Sequence, residues 1–359
     1  MQKNMKQQLL DLTKRLISIP SEKGNPKALS DVLDLVKSEL PGIAFKEYEK
    51  NGIKSLLFYN TPTIPKRFTV ILNAHVDVVP AKPVQYTPVV KGDKLYGRGA
   101  CDMKSGAAAE ILVFKELAKQ VSYPLGLQIV TDEETGGFYG TKYQIEQGIR
   151  ADFVIAGEQT DLMINNLAKG ILLSRVTIKG KSGHAAYIWN GENAIANASK
   201  FLTVLYKTFP IPMGEAWVTT ANVAKIETSN TAFNKIPDDC TITIDMRYIP
   251  EDADTVVDKL KSILPKDATL TILEKEPSQN TKAGDPYVVL LSKAIQNVTG
   301  NTKTIAKHGA SDIRHYDGVG CAGACFGPIA VGLHTDNEYG DIPSFVTYYE
   351  ILKKFLLSI

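Results

Sequence analysis

The sequence predicts an α/β fold in which a mainly parallel sheet is interrupted by an inserted, ferredoxin-like α+β domain. Three observations support this class. Apolar runs alternate with helical patterns in the first half, the pattern changes near Lys169, and the first pattern returns after about residue 275. Near-continuous apolar strands separated by helices are typical of a parallel sheet covered on both faces. We expect one domain from 1–168 with 276–359, and a second from 169–275.

The first half contains helices and strands in turn. Apolar residues at helical spacing predict an amphipathic helix at the N-terminus and a second helix in "ALSDVLDLVKSEL". "SGAAAEILVFKELAKQ" is rich in Ala, Leu, Lys and Glu, which favours a helix. The apolar runs between these helices predict four strands, which are "KSLLFYN", "RFTVILNAH", "LGLQIVTDEE" and "ADFVIAGE".

The inserted segment has a different order of elements. "GILLSRVTIKGKSGH" predicts a strand and "ENAIANASKFLTVLYKTF" a helix, and two strands, a helix and a last strand follow. This βαββαβ order is the split pattern of a ferredoxin-like domain. The chain then returns to the first pattern with a helix, a strand and a closing helix, in "DPYVVLLSKAIQNVTG", "GPIAVGLH" and "PSFVTYYEILKKFLLSI".

The composition narrows the class of protein. The chain has 359 residues, 44% of them hydrophobic, which is enough for two domains with cores. Its 41 basic and 39 acidic residues argue against a partner that is nucleic acid or a membrane surface. The N-terminus lacks the apolar core of a signal peptide, and no apolar run is long enough to span a membrane. Four cysteines are too few for a disulfide scaffold, so we expect a reduced, cytoplasmic protein.

Side chains that can bind metal follow the apolar strands. Four strands end in or are followed by such residues: His75, Glu133 with Glu134, Glu158 and His334. Asp102 lies in a glycine-rich turn, "YGRGACDMKSG", before a helix. The carboxyl ends of strands line the ligand crevice of an open α/β sheet, so we expect these side chains to meet there.

Imidazole and carboxylate ligands together suit zinc, with cobalt or manganese as substitutes. Two imidazoles and three carboxylates are too many for one tetrahedral ion and suit two ions bridged by one carboxylate. In "HVD", His75 and Asp77 face the same way on an extended chain, so Asp77 could fix the tautomer of the histidine. Of the two adjacent glutamates, one can ligate while the other takes a proton from the attacking water.

The motifs that surround these residues identify a family. They are "NAHVDVVP", "YGRGACDMKSG", "TDEETGG", "GEQT", "KGKSGHAA", "FNKIPDDC", "DMRY", "GASDIR" and "HTDNEY". They occur in family order over nearly the whole chain, and the sequence resembles the metal-dependent amidohydrolases that include succinyl-diaminopimelate desuccinylase, acetylornithine deacetylase, aminoacylase and carboxypeptidase G. The resemblance implies a two-zinc catalytic domain interrupted by a ferredoxin-like lid that commonly dimerises.

The resemblance implies a ligand set for each metal. His75, Asp102 and Glu158 would hold one zinc ion. Asp102, Glu134 and His334 would hold the other, so that Asp102 bridges the two.

The resemblance also implies roles beyond metal binding. Glu133 would be the general base, and Asp77 would orient the first histidine ligand. His184, in "KSGHAA", would stabilise the oxyanion, and in dimeric members it acts from the neighbouring chain. Asn234 and Arg247 would bind polar groups of the substrate.

The sequence departs from the desuccinylases at two places. Ala310 stands where they usually carry Thr, and Lys169 stands alone where they tend to carry an Arg-rich turn. Ser311 and Arg314 could compensate in holding the substrate. We expect a dinuclear zinc hydrolase that cleaves the amide bond of an N-acylated amino acid and forms a homodimer through the lid domain. A dipeptidase or carboxypeptidase with the same metal centre, and a non-catalytic binding protein of the same fold, are the alternatives.

Overall fold

The computed structural model describes residues 2–359, and the chain divides into two compact units. The first unit comprises Met1–Leu167, Asn280–Ala306 and Ser311–Ile359. The second comprises Ala168–Gln279 and Lys307–Ala310. The chain therefore builds most of the first unit before it enters the second.

The helices and strands are numbered in the order in which they occur along the chain. The α-helices are α1 (Gln2–Ile17), α2 (Pro26–Glu39), α3 (Lys104–Leu117), α4 (Thr141–Glu146), α5 (Ala194–Thr208), α6 (Val256–Ser262), α7 (Pro286–Thr299), α8 (Ile313–Asp317) and α9 (Ile342–Leu357). The strands are β1 (Ala44–Lys50), β2 (Ile53–Tyr59), β3 (Phe68–His75), β4 (Val89–Lys91), β5 (Lys94–Tyr96), β6 (Leu125–Val130), β7 (Ala151–Ala156), β8 (Ile164–Ala168), β9 (Gly170–Lys179), β10 (Thr220–Glu227), β11 (Asp239–Tyr248), β12 (Thr269–Glu276), β13 (Gln279–Asn280), β14 (Thr304–Lys307), β15 (Ala322–Cys325), β16 (Ala330–Val331) and β17 (Tyr339–Asp341).

The largest sheet has nine strands in the order β1-β2-β6-β3-β7-β15-β8-β13, with β14 beside β8. Its central strands β6, β3, β7 and β15 run parallel to one another. The pairs β1–β2, β2–β6 and β15–β8 are antiparallel. The prediction of a mainly parallel sheet therefore holds for the central strands, whereas the sheet as a whole is mixed. The parallel centre is the part that brings strand ends to one edge.

Apolar cores lie on both faces of this sheet. In β7, Phe153 and Ile155 belong to one core, while Val154 and Ala156 belong to the other. Helices α1, α3 and α9 contribute to the first core, and α8 contributes to the second. A strand buried on both faces needs apolar side chains at every position, which explains the unbroken apolar runs in the sequence.

The second unit has a βαββαβ order of its own, β9-α5-β10-β11-α6-β12. Its four strands form an antiparallel sheet in the order β10-β11-β9-β12. Every second residue of β11 is buried, whereas the residues between them are partly exposed. The apolar face of α5, with Ala194, Ala198, Phe201 and Leu205, packs in the same core as β11. A sheet that is covered by helices on one face produces this alternation.

A third, small sheet joins β16, β17, β5 and β4. Among residues 2–359, no helix combines the length and apolar character that a membrane crossing requires.

Candidate metal centre and active site

Three neighbouring parallel strands position the first side chains of the site. His75 is the last residue of β3. The short 3-10 helix Glu133–Thr135 follows β6, and Glu158 follows β7. Because β6, β3 and β7 are adjacent and parallel, their carboxyl ends lie at the same edge of the sheet.

Asp102 and His334 reach the site from outside the large sheet. Asp102 lies in the loop that precedes α3. The sequence predicts that His334 ends an apolar strand, but this prediction is wrong, because β16 contains only Ala330–Val331. Gly332 and His334 have φ values of 88° and 59°, which break the extended conformation and form a turn. The turn nevertheless brings the imidazole to Asp102.

The carboxylate of Asp102 lies between two imidazoles. Its Oδ1 is 2.9 Å from Nε2 of His75, and its Oδ2 is 3.2 Å from Nε2 of His334. Nε2 of His75 also lies 3.6 Å from Oε1 of Glu158, and Nε2 of His334 lies 3.2 Å from Oε2 of Glu134. Each half of the site therefore has one imidazole, one further carboxylate and a share of Asp102.

These side chains form two groups that could each hold a metal ion. His75, Asp102 and Glu158 form the first group, and Asp102, Glu134 and His334 form the second. Within each group the possible ligand atoms lie within 4.8 Å of one another. Three carboxylates so close together repel each other, and two divalent cations would offset that repulsion. The donor set of imidazole nitrogen and carboxylate oxygen fits zinc.

Asp77 holds the turn that carries the two adjacent glutamates. Its carboxylate accepts hydrogen bonds from the backbone amides of Glu133 at 3.3 Å and Glu134 at 3.1 Å. Nδ1 of His75 lies 3.1 Å from the backbone oxygen of Asp77 and 3.5 Å from its carboxylate. Asp77 therefore contacts both the first histidine and the turn. Glu133 belongs to neither metal-ligand group.

The protonation of the site depends on burial and on the close charges. Burial disfavours the ionised form of Asp102, but the hydrogen bonds from His334 and His75 outweigh it and hold the pKa of this carboxyl below its usual value. Burial, with the charge of Asp102 as the next cause, raises the pKa of Glu134 to about 7. Burial also raises the pKa of Glu133 well above its usual value. A divalent cation beside Glu134 would favour its charged form and reverse the direction for that residue.

Two of the remaining predicted residues lie together in the second unit. The amide of Ala185 donates to the carbonyl of Asn234 at 2.8 Å, so the loops that carry His184 and Asn234 are paired. Both residues are exposed. The amide of Ala186 donates to Nδ1 of His184 at 3.1 Å. A neutral ring whose Nδ1 accepts carries its proton on Nε2, which leaves Nε2–H as a donor.

Arg247 lies on β11 in the same unit and is already paired. Its Nε and Nη2 donate to the two carboxylate oxygens of Asp245 at 2.9 and 3.0 Å. A substrate carboxylate would compete with Asp245 for this guanidinium, so the substrate-binding role of Arg247 stays a prediction.

Ser311 and Arg314 are buried, at 7% and 4% exposure, and make contacts inside the first unit. Arg314 donates to the carbonyl of Ser311 at 2.8 Å and to the carbonyl of Gly136 at 2.6 Å. Gly136 directly follows the turn that carries Glu133 and Glu134. These contacts support a role in holding that turn, and they give no support to the predicted contact with substrate.

His315 is a residue of the site that the sequence analysis misses. Its Nε2 donates to the same carbonyl of Gly136, at 2.9 Å. Burial, followed by the charge of Arg314, lowers the pKa of His315 to about 3, so the ring is neutral. The sequence gives no signal of the contact between His315 and Gly136, because this contact depends on where α8 packs.

The fold and the site together define the class of protein. Two adjoining groups of imidazole and carboxylate donors, with a further carboxylate beside them at the carboxyl ends of parallel strands, are typical of a metal-dependent hydrolase.

Comparison with known proteins identifies the family. The family model described as Peptidase family M20/M25/M40 matches residues 71–358, and the chain belongs to this family. The chain is 28% identical over 367 residues to a succinyl-diaminopimelate desuccinylase of Delftia acidovorans, with 92% of each chain covered. It is 29% identical over 276 residues to a probable carboxypeptidase of Emericella nidulans, with 69% of this chain and 65% of that relative covered.

A solved structure agrees with this assignment. The crystal structure of a tripeptidase from Staphylococcus aureus has a TM-score of 0.79 at 25% identity, with 98% of this chain and 97% of that chain covered. The α/β fold class and the family resemblance predicted from the sequence are therefore confirmed. By family, the chain is a metal-dependent amide hydrolase.

Proposed function

We propose that the protein is a dinuclear zinc hydrolase that cleaves the amide bond of an N-acylated amino acid, as desuccinylases and deacetylases of this kind do. One observation carries the proposal. Two donor groups share Asp102, and Glu133 lies beside them without belonging to either. The desuccinylase relative, which matches over 92% of its length, supports the deacylase class.

His75, Asp102 and Glu158 would hold one zinc ion, and Asp102, Glu134 and His334 would hold the other. When bound, the ions supply a Lewis acid that polarises the acyl carbonyl and lowers the pKa of water. Cobalt or manganese would suit the same donors.

The residues of the chain carry the proton transfers. Glu133 takes a proton from the attacking water on a carboxylate oxygen and later delivers it to the nitrogen of the leaving amine. Asp77 holds Glu133 in place, because its carboxylate accepts hydrogen bonds from the backbone amides of the turn that carries Glu133. Nε2–H of His184 donates a hydrogen bond to the oxyanion.

The first unit would be the catalytic domain and the second the lid and dimerisation domain. The short helix after His184 exposes three large side chains, Tyr187, Ile188 and Trp189, at 54%, 69% and 74%. β10 is an end strand of its sheet, and most of its residues are exposed. An exposed edge strand and an apolar patch both favour a two-fold contact with a second copy of the chain. In such a homodimer His184 would serve the partner's site. We expect no nucleic-acid or membrane partner, and a cytoplasmic location.

A carboxypeptidase or dipeptidase is the second candidate. It would use the same metal centre and differ only in what it binds on the acyl side of the amide. The probable carboxypeptidase of Emericella nidulans is 29% identical to this chain and the desuccinylase 28%, although only 65% of the former is covered. Arg247, the predicted substrate-binding residue, is paired with Asp245 and so favours neither candidate.

A substrate screen tests the proposal. The zinc-loaded protein is assayed with N-acetyl and N-succinyl amino acids and with dipeptides, and kcat/KM is compared. We expect the highest kcat/KM for an N-acyl amino acid. A higher value for dipeptides supports the second candidate, and no turnover of any of these amides by a protein that holds two zinc ions contradicts both.

A further inference from the structure

A buried carboxylate outside the metal-ligand groups joins the two loops that carry Asp102 and His334. Glu338 lies four residues after His334, and its side chain is 1% exposed. Its Oε1 accepts hydrogen bonds from the backbone amides of Gly99 at 2.7 Å and Cys101 at 2.9 Å, and lies 3.4 Å from the amide of Asp102. Its Oε2 accepts from Arg98, which is also buried.

These contacts fix the backbone of a loop that has little regular structure of its own. The loop before α3 bends at Gly97 and Gly99, which have φ values of 153° and 90°. The amides of a bent loop need acceptors when they are buried, and one carboxylate oxygen supplies them here. The charge of Glu338 is compensated by Arg98, so this burial leaves no unpaired ion.

The two metal-ligand groups depend on this carboxylate to different extents. In the second group, Asp102 and His334 both come from segments that Glu338 connects, and Glu134 comes from the end of β6. In the first group, His75 and Glu158 come from the ends of β3 and β7, and only Asp102 comes from a connected segment.

We propose that Glu338 is a positioning residue that sets the separation of Asp102 and His334 and thereby the affinity of the second metal-ligand group. The inference rests on the proposed two-metal site but is independent of the substrate. Residues that orient metal ligands typically contribute about 10–100-fold to metal affinity. We expect this loss to fall mainly on the second ion.

Zinc titration in the presence of a chromophoric chelator measures the two affinities separately, without any substrate. Glu134→Ala, which removes a donor from the second group alone, shows which of the two dissociation constants belongs to that group. In Glu338→Ala we expect this constant to rise by about 10–100-fold and the other to rise much less. Glu338→Gln keeps an oxygen that can accept from the loop amides, so its loss should be smaller. The electronic absorption of bound cobalt should change in the same order.

Glu116→Ala is the matched control. Glu116 lies on α3 in the same unit and accepts hydrogen bonds from Lys353, at 2.6 Å, and from Tyr349, but it contacts no metal-ligand residue. It should destabilise the fold without changing either affinity. If Glu338→Ala does not fold, Glu338→Gln is tested instead, and a rise of about threefold or more in the dissociation constant of the second group alone supports the proposal.

Unchanged affinities in a folded Glu338 variant, or equal losses at both groups, overturn the proposal. A wild-type protein that binds fewer than two zinc ions contradicts the proposed metal centre itself, which separates that failure from this one.

Discussion

Replacing the two adjacent glutamates one at a time should show that Glu134 is a metal ligand and Glu133 is the general base. Oε2 of Glu134 lies 3.2 Å from Nε2 of His334, within the second metal-ligand group, whereas Glu133 belongs to neither group. Glu134→Ala therefore removes one of the three donors of the second group and none from the first. Glu133→Ala removes no donor.

The expected sizes follow from these positions. Loss of a general base typically lowers turnover by about 10²–10⁴, which is about 2.7–5.4 kcal/mol in the barrier. Glu133→Ala should lose turnover by this amount and keep two zinc ions per chain. Catalytic zinc normally has three protein ligands, so a group reduced to two should lose its ion. Glu134→Ala should therefore hold about one zinc ion per chain.

Metal content after gel filtration, measured by mass spectrometry, and kcat on the best substrate check both expectations. Glu133→Gln is the control for shape, because it keeps the volume of the side chain and the backbone bonds of the turn to Asp77. If Glu133→Ala released a zinc ion while Glu134→Ala kept both, the two assignments would be reversed.

Three further outcomes are expected. Exhaustive chelation should abolish activity, and zinc or cobalt should restore it. The circular dichroism spectrum should stay close to that of the untreated protein, because each unit has an apolar core of its own. Full activity at a metal-free site would refute the mechanism. The Glu133→Ala and His184→Ala variants should each be nearly inactive. Subunit exchange between them should restore about a quarter of the sites, because half of the dimers are then hybrids with one complete site each. Demonstrated exchange without recovered activity would place His184 in its own chain's site or in none. The pKa of His315 is about 3 when folded and about 6.5 when unfolded, so the unfolded chain binds the extra proton and stability falls as the pH drops below about 6.5. Between pH 7.5 and 5.5 the wild type should lose about 1.4 kcal/mol more than His315→Gln in urea unfolding, and equal losses would contradict the buried neutral ring.

Periodic patterns predicted the elements that are buried on a regular face. The continuous apolar run of β7 and the alternation of β11 each follow from the number of sheet faces that are covered. Strand ends also identified His75 and the two glutamates as neighbours, because parallel strands place their carboxyl ends together.

Contacts that depend on tertiary packing had no such signal. His334 reaches the site through a turn with positive φ and not at the end of a strand, and a single chain gives no pattern for that conformation. The sequence suggests that Arg314 holds the substrate, yet the placement of α8 buries it against the carbonyl of Gly136. Glu338 and Arg98 are far apart in the chain, and their pairing is visible only after folding.

The split of the first unit also bears on how the protein is made. His75, Asp102 and Glu158 all precede the second unit in the chain, whereas His334 and the central strand β15 follow it. During synthesis, the ribosome therefore releases a full set of donors for one ion long before it releases the last donor for the other. Closing that second set requires the emerging C-terminal segment to return across a long loop and insert β15 beside β7. A chain that stops before that point therefore carries the three donors of the first group but lacks His334 of the second.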